Sequence, residues 1–295
     1  MKKITLILAI TICLGITTYS QSLMGFNQTE TGLHYKFYIK TDNPRAQIGD
    51  IIVAEIWVYL DNKLEYAIVG TPEPLFQVVP SQRARDLMDA LKMIGRGDSV
   101  RFAFCAETFR KHNPNLLVDP DAQFLFYTIK VDGVYTEEEF EVRMEEERIR
   151  GEAEEAIKLA AFIAEQKIIV EPNADGVFVI IEKVGTGNPV RRGGNVKINY
   201  VVRLLNGKLF DTNIEDIARA NNILNPRLVY EPLAFEAGVG RVIPGIDNTL
   251  LGMRIGTRAT LIVPSNMAYG MEGIPSAGIP PFTTLIFYIE IVDFL

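Results

Sequence analysis

Along the C-terminal half of the sequence stand residues that could line a site: Tyr200 in "INYVV", Phe210 and Asp211 in "KLFDT", and Phe235 in "LAFEAG". Val242 and Ile243 follow in "GRVIPGI", then Tyr269 in "MAYG", and Ile279 and Phe287 near the end. A phenol, a carboxylate and apolar walls can hold and orient a group. They contain no nucleophile with an activating base, because this half of the chain has no His. "LFDTN" places an Asp after a strand, as aspartyl nucleophiles require, but the second Asp of such enzymes is missing. No His or Cys cluster has metal-ligand spacing. "GVGRVIPG" and "GTGNPVRRGG" are Gly-rich without the spacing of a dinucleotide or phosphate loop. Taken alone, Phe235, Val242 and Phe287 read as core.

The elements that must position these residues come as an internal repeat. "TETGLHYKFYIKTDNPRAQIGDIIVAEIWVYLDNKLEY" parallels "NADGVFVIIEKVGTGNPVRRGGNVKINYVVRLLNGKLFD", with Gly32 matching Gly176 and Gly49 matching Gly194. Later, "VVPSQRARDLMDALKMIGRGDSVRFAF" parallels "VIPGIDNTLLGMRIGTRATLIV", each a short helix, a Gly and a strand. Each copy closes on a strand, "AQFLFYTIKV" and "TTLIFYIEIV". Each unit is thus mostly antiparallel β with one short helix, an α+β pattern with a sufficient core.

Between the copies, residues 136–168 hold an acidic run. From Thr136 to Lys167 eleven Glu face five Lys and Arg, a net of −6 within a chain of formal charge −7. Phe140, Met144, Ile149, Ala153, Ile157, Ala160 and Ala164 recur at helical spacing, predicting one long helix with a kink near Gly151. Its narrow, Ala-rich stripe suits packing on a domain or on the same helix of a second copy, as in a homodimer. The acidity, without basic patches elsewhere, argues against nucleic acid as a partner.

The first residues, "MKKITLILAITICLGITTYSQS", pair two lysines with an apolar run too short to span a bilayer. They predict a signal peptide over residues 1–20, hence export to the periplasm or cell envelope. Cys13 would attach the protein to a membrane only if lipidated, and bulky Ile12 before it argues against that. Cleavage leaves Cys105, in the alternating "VRFAFCAETF", as the one cysteine, and the pattern predicts a small core residue there.

The ordered pattern "Y…G.LFD…F…G…VIPG…L.GM..G..A.L.VPS..AYG…G.IPP.TTL.F.IE" spans residues 176–295. It resembles the FKBP-type peptidyl-prolyl cis-trans isomerases. "FIAEQKIIVEPNADGVFVIIEKVGTGNPV" looks like the helix-to-domain junction of exported bacterial members. The resemblance implies two FKBP-like domains, 29–135 and 170–295, each a twisted antiparallel sheet wrapped around a short helix. It makes Tyr200, Phe210, Phe235, Val242, Ile243 and Phe287 the walls of a proline pocket, with Asp211 at its rim. Tyr269 and the Ile243 N–H would reach a substrate carbonyl, and Ile279 would lie on the covering loop. No cofactor or metal is implied, and the substrates are proline-containing, unfolded or partly folded polypeptides.

Three departures accompany the match. Ile246 stands where the family usually floors its pocket with Trp. The segment "TNIEDIARANNILNPRLVYEP" is longer than usual, and is expected to form an extra helix or flap. In the first copy, the repeat offset puts Glu55, Glu65 and Tyr66 at the places of Tyr200, Phe210 and Asp211, so that domain reads as degenerate. A non-catalytic chaperone or scaffold therefore stands beside the isomerase as an alternative.

Overall fold

The computed structural model describes residues 23–70, 75–82, 85–112 and 119–293; the leader and Cys13 lie outside the described residues. The chain divides into two compact units at Met144 and Glu145. The fold is α+β, with one antiparallel sheet in each unit.

In the first unit, β1 (Asn27–Gln28), β2 (His34–Ile39), β6 (Ser99–Cys105), β7 (Phe124–Tyr135), β3 (Ile51–Leu60) and β4 (Lys63–Ile68) lie side by side in that order. The short β5 (Phe76–Gln77) adds to β3. Helix α1 (Leu87–Leu91) covers the apolar face, and α2 (Ala106–His112) follows β6. In the second unit the order is β8 (Phe178–Lys183), β12 (Arg258–Val263), β13 (Leu285–Asp293), β9 (Asn195–Leu204) and β10 (Leu209–Thr212), with β11 (Leu233–Glu236) on β9. Its covering helix, α5, is Pro244–Thr249, and α4 (Glu215–Ala220) forms in the long segment. Strand for strand the two sheets share one topology, apart from β1.

Alternation explains which face is inside. Val196, Ile198, Tyr200, Val202 and Leu204 point to the core from β9, as Ile52, Ala54, Ile56 and Val58 do from β3. Pro244 sits at the start of α5, where its fixed φ suits the first turn and its missing N–H costs nothing. Gly245 lets that turn approach β12: a Cβ there would lie 2.3 Å from Val263 Cγ1.

The structure corrects the repeat register. Gly49 and Gly193, not Gly194, are equivalent: both have positive φ, at 99° and 76°. Both donate their N–H across to the strand end, to Val78 and Ala237 respectively. The offset is therefore 144, which puts Ile56, not Glu55, at the place of Tyr200. Glu55 lies on the opposite face, paired with Lys130 at 3.0 Å. The other two correspondences hold, because β4 and β10 carry the same bulge, occupied by Glu65 and Phe210.

Two further expectations change. Cys105 is exposed, because it ends β6 on the outward face, where the chain turns into α2. The long helix α3 (Glu137–Glu165) runs unbroken through Gly151. Thr136 and Glu139 start it as a reciprocal capping box, at 2.9 and 3.2 Å. Its docked stripe is Phe140, Met144, Gly151, Glu155, Leu159 and Phe162, while Ile149 and Ile157 are exposed. Apolar residues occur all round this helix, so a buried polar contact at Glu155, rather than an apolar seam, selects the face. Among the described residues no helix is long and apolar enough to cross a membrane.

Gly245→Ala tests the close approach of α5. The added methyl should cost about 1–3 kcal/mol through overpacking, read as a lower denaturation midpoint of the second unit.

Candidate functional site

The residues singled out in the second unit converge at one end of the gap between α5 and the sheet. Phe235, Ile246, Ile279 and Phe287 are buried in its core, and Tyr200, Phe210, Val242, Ile243 and Tyr269 pack against them half-buried. Phe287 on β13 stands opposite Val202 of β9 and Leu261 of β12. Phe235 stands opposite Val196. The β10 bulge at Phe210 turns that ring and the neighbouring carboxylate to the site. Ile246 on α5 and Leu250 just after it are buried in the same core.

Asp211 joins the set through a hydrogen bond. The Tyr200 hydroxyl donates to Asp211 Oδ2 at 2.9 Å, and the Thr212 N–H donates to Oδ1 at 2.8 Å. Burial, then the Asp211 charge and this hydrogen bond, push the Tyr200 phenol well above the usual tyrosine range. Tyr269 is also raised, by burial and then by Asp211. Both phenols therefore remain donors at neutral pH.

The site keeps donors that are left unused. No hydrogen bond among the described residues engages the Tyr269 hydroxyl or the Ile243 N–H. Ile243 precedes α5, and its carbonyl accepts the N–H groups of Ile246 and Asp247, each at 3.0 Å. Its own N–H is thus one of the orphan donors of a helix start.

Polar residues that the sequence reading passed over hold these parts in place. Buried Asp247 accepts the N–H groups of Gly238 and Gly240, at 2.7 and 2.6 Å, and so fixes the turn before Val242. Asn213 accepts the Tyr200 N–H at 2.8 Å and donates to the carbonyls of Ile198 and Glu231, at 2.9 and 3.0 Å. That stitches both ends of the long segment to β9. The signal was available, since a polar side chain next to a strand or turn serves as a local backbone partner. Ile279 closes a small turn by exchanging hydrogen bonds with Ile274, at 2.8 and 3.0 Å. Among the described residues no group of His, Cys, Asp and Glu is arranged to hold a metal ion.

Residues 187–292 match the family described as FKBP-type peptidyl-prolyl cis-trans isomerase. A domain of this family is therefore present within the second unit. A relative named "FK506-binding protein 4" from Gibberella zeae is 37% identical over 118 residues, covering 40% of this chain and 21% of its own length. The "Short-type peptidyl-prolyl cis-trans isomerase" of Methanocaldococcus jannaschii is 36% identical over 85 residues, 29% of this chain and 54% of its own. The chain thus spans between about a fifth and about half of these curated relatives. A solved peptidyl-prolyl cis-trans isomerase from Pseudomonas syringae is 31% identical, covering 49% of this chain and 93% of its own, with a TM-score of 0.38.

At the FKBP-type site the raised phenols make a stability prediction. Because the folded-state values are raised, the stability they contribute is complete below about pH 10 and is lost as pH climbs through those values. Asp211→Asn removes the charge that opposes phenol ionisation. Ultraviolet titration should then show tyrosinate forming at lower pH than in the wild type, with a smaller total loss of stability in alkali. An unchanged titration would mean that Asp211 reaches neither ring.

Proposed function

We propose that the second unit catalyses rotation about X-Pro peptide bonds in unfolded or partly folded polypeptides, without cofactor or metal. The observation that carries this reading is the coincidence of apolar walls with two unused donors, the Tyr269 hydroxyl and the Ile243 N–H. The amide barrier is ~18–20 kcal/mol because resonance must be broken. Exchange at proline takes roughly tens to hundreds of seconds uncatalysed. No covalent bond changes, so neither nucleophile nor base is needed. A proline ring held against Phe210, Phe235, Ile246 and Phe287 leaves water, and the planar, polar amide loses solvation relative to its twisted form. Donors fixed beforehand then meet the rotated carbonyl without reorganising. Each tenfold of rate needs only ~1.4 kcal/mol, within reach of such contacts. Ile246 presents less surface than an indole floor, which favours a lower rate or a shifted preference. The leader pattern of residues 1–20 supports export, so that the substrates are envelope or secreted proteins.

One observation favours a binding role for the first unit. A cavity of ≈ 590 Å³ opens there beside the start of α1, lined by Leu33, His34, Leu87, Phe104, Phe109 and Tyr127, among others. Tyr127 and Leu87 occupy the places of Phe287 and Ile246, so this cavity includes positions equivalent to the second unit's candidate site, while Glu65 and Tyr66 do not line it.

A protease-coupled isomerisation assay on the whole protein tests the main reading. The wild type should accelerate exchange in proportion to its concentration. Phe287→Ala should lower kcat/KM about tenfold or more while circular dichroism shows the sheet intact. A wild-type rate equal to the uncatalysed one sinks the enzyme; suppressed aggregation of an unfolded client in that case leaves the chaperone reading standing.

A further inference from the structure

In the second unit the catalytic reading leaves the buried carboxylate of Glu155 unused. Glu155 lies near the middle of α3, beside the exposed Glu152 and Glu154, yet is only 8% exposed. Its carboxylate accepts three hydrogen bonds from the second unit. The Ser265 N–H donates at 2.8 Å, the Ser265 hydroxyl donates to the other oxygen, and the Thr284 hydroxyl donates at 2.5 Å. Ser265 and Thr284 are themselves buried. A carboxylate withdrawn from water is tolerated only when its lone pairs are met in this way.

What these two partners have in common is their place in the chain. Ser265 opens, and Thr284 closes, the loop that carries both Tyr269 and Ile279. One turn of α3 earlier, Gly151 meets the same loop. A Cβ at Gly151 would lie 2.3 Å from the Phe282 ring, so only glycine lets this ring lie on the helix. Phe282, with φ of 51°, donates its N–H to the Gly270 carbonyl at 2.9 Å, next to Tyr269. The Gly270 N–H returns to the Ser265 carbonyl at 2.8 Å. Residues 151 and 155 are i and i+4, hence on one helix face, and both point at this loop.

We infer that Glu155 and Gly151 are positioning residues: α3 clamps both roots of the 265–284 loop and sets where Tyr269 and Ile279 stand over the pocket. The inference deepens the isomerase reading and rests on it for its consequence in rate. Its geometry stands apart from activity. The bonds from Ser265 and Thr284 to a single carboxylate fix the separation of the loop's ends. Without them the loop keeps its internal turns but loses its anchor, and the Tyr269 hydroxyl samples positions away from the rotated carbonyl.

The test uses the full chain. Amide exchange of residues 266–283 should rise about tenfold in Glu155→Ala, while exchange in β9 stays at the wild-type level, since unmet buried donors open locally. In the isomerisation assay, Glu155→Ala should lower kcat more than it raises KM, and Glu155→Gln, which keeps one acceptor, should recover part of the loss. Glu155→Ala combined with Tyr269→Phe should lose less than the product of the single effects, because both remove the same donor placement. Gly151→Ala, which leaves the carboxylate intact and displaces Phe282, gives an independent variant should Glu155→Ala not fold. Loop exchange unchanged in the folded variants, or multiplicative losses in the double variant, overturns the inference. A wild type without activity would sink the isomerase reading alone, since the exchange experiment would still decide the clamp.

Discussion

A short helix cannot cover a long sheet, and the architecture of the second unit follows from that mismatch. The six residues of α5 span about 9 Å, whereas the nine- and ten-residue strands β13 and β9 run about 30 Å. Alternation puts apolar side chains on the same face along the whole of both strands. Part of that face must therefore be closed by something other than the helix. Phe210, Phe235, Tyr269 and Ile279, from a bulge, a short strand and a loop, close most of it. The wall at the end of α5 is apolar because the strands make it so, and it is built from a bulge, a short strand and a loop rather than from regular structure.

Loops that complete a core bring their backbone polar groups with them, and these must be met. The second unit meets them with a few buried polar side chains. Asp247 takes two N–H groups of the turn before α5, Asn213 joins the long segment to β9, and Glu155 takes the two ends of the Tyr269 loop. None of these residues faces the pocket. Each converts an irregular stretch into a fixed wall. Among the described residues the Tyr269 hydroxyl and the Ile243 N–H stay outside this network.

The sequence was legible where physics repeats with a period. Alternation located the strands, the helical spacing located α3, and the twofold recurrence of elements revealed the shared topology. The aromatic and aliphatic candidates were singled out by their order and contexts, and the geometry gathers them into one cluster. It was less legible where the deciding feature is a single residue. One glycine of the pair Gly193 and Gly194 sets the register, and only φ and the hydrogen bond to Ala237 tell which. On α3, the count of apolar residues favoured a stripe through Ile149 and Ile157, but burial follows Glu155, whose partners are more than a hundred residues away. Gly151 looked like a weak point in a helix and is a point of contact.

The two units show what the pocket requires beyond the fold. They share strand order, both β-bulges around the long central strand and the covering helix, so backbone geometry alone does not distinguish them. The difference lies in what the bulge presents. In β10 it offers an aromatic ring and a carboxylate that a neighbouring tyrosine hydroxyl can reach. In β4 it offers Glu65, engaged with Lys63 at 2.7 Å, and an exposed Tyr66, while Ile56 stands where a hydroxyl would be needed. A charged residue held in water adds no apolar wall, and an isoleucine cannot orient a carboxylate. Two residues at one bulge and one on the adjoining strand thus separate two sheets of the same topology.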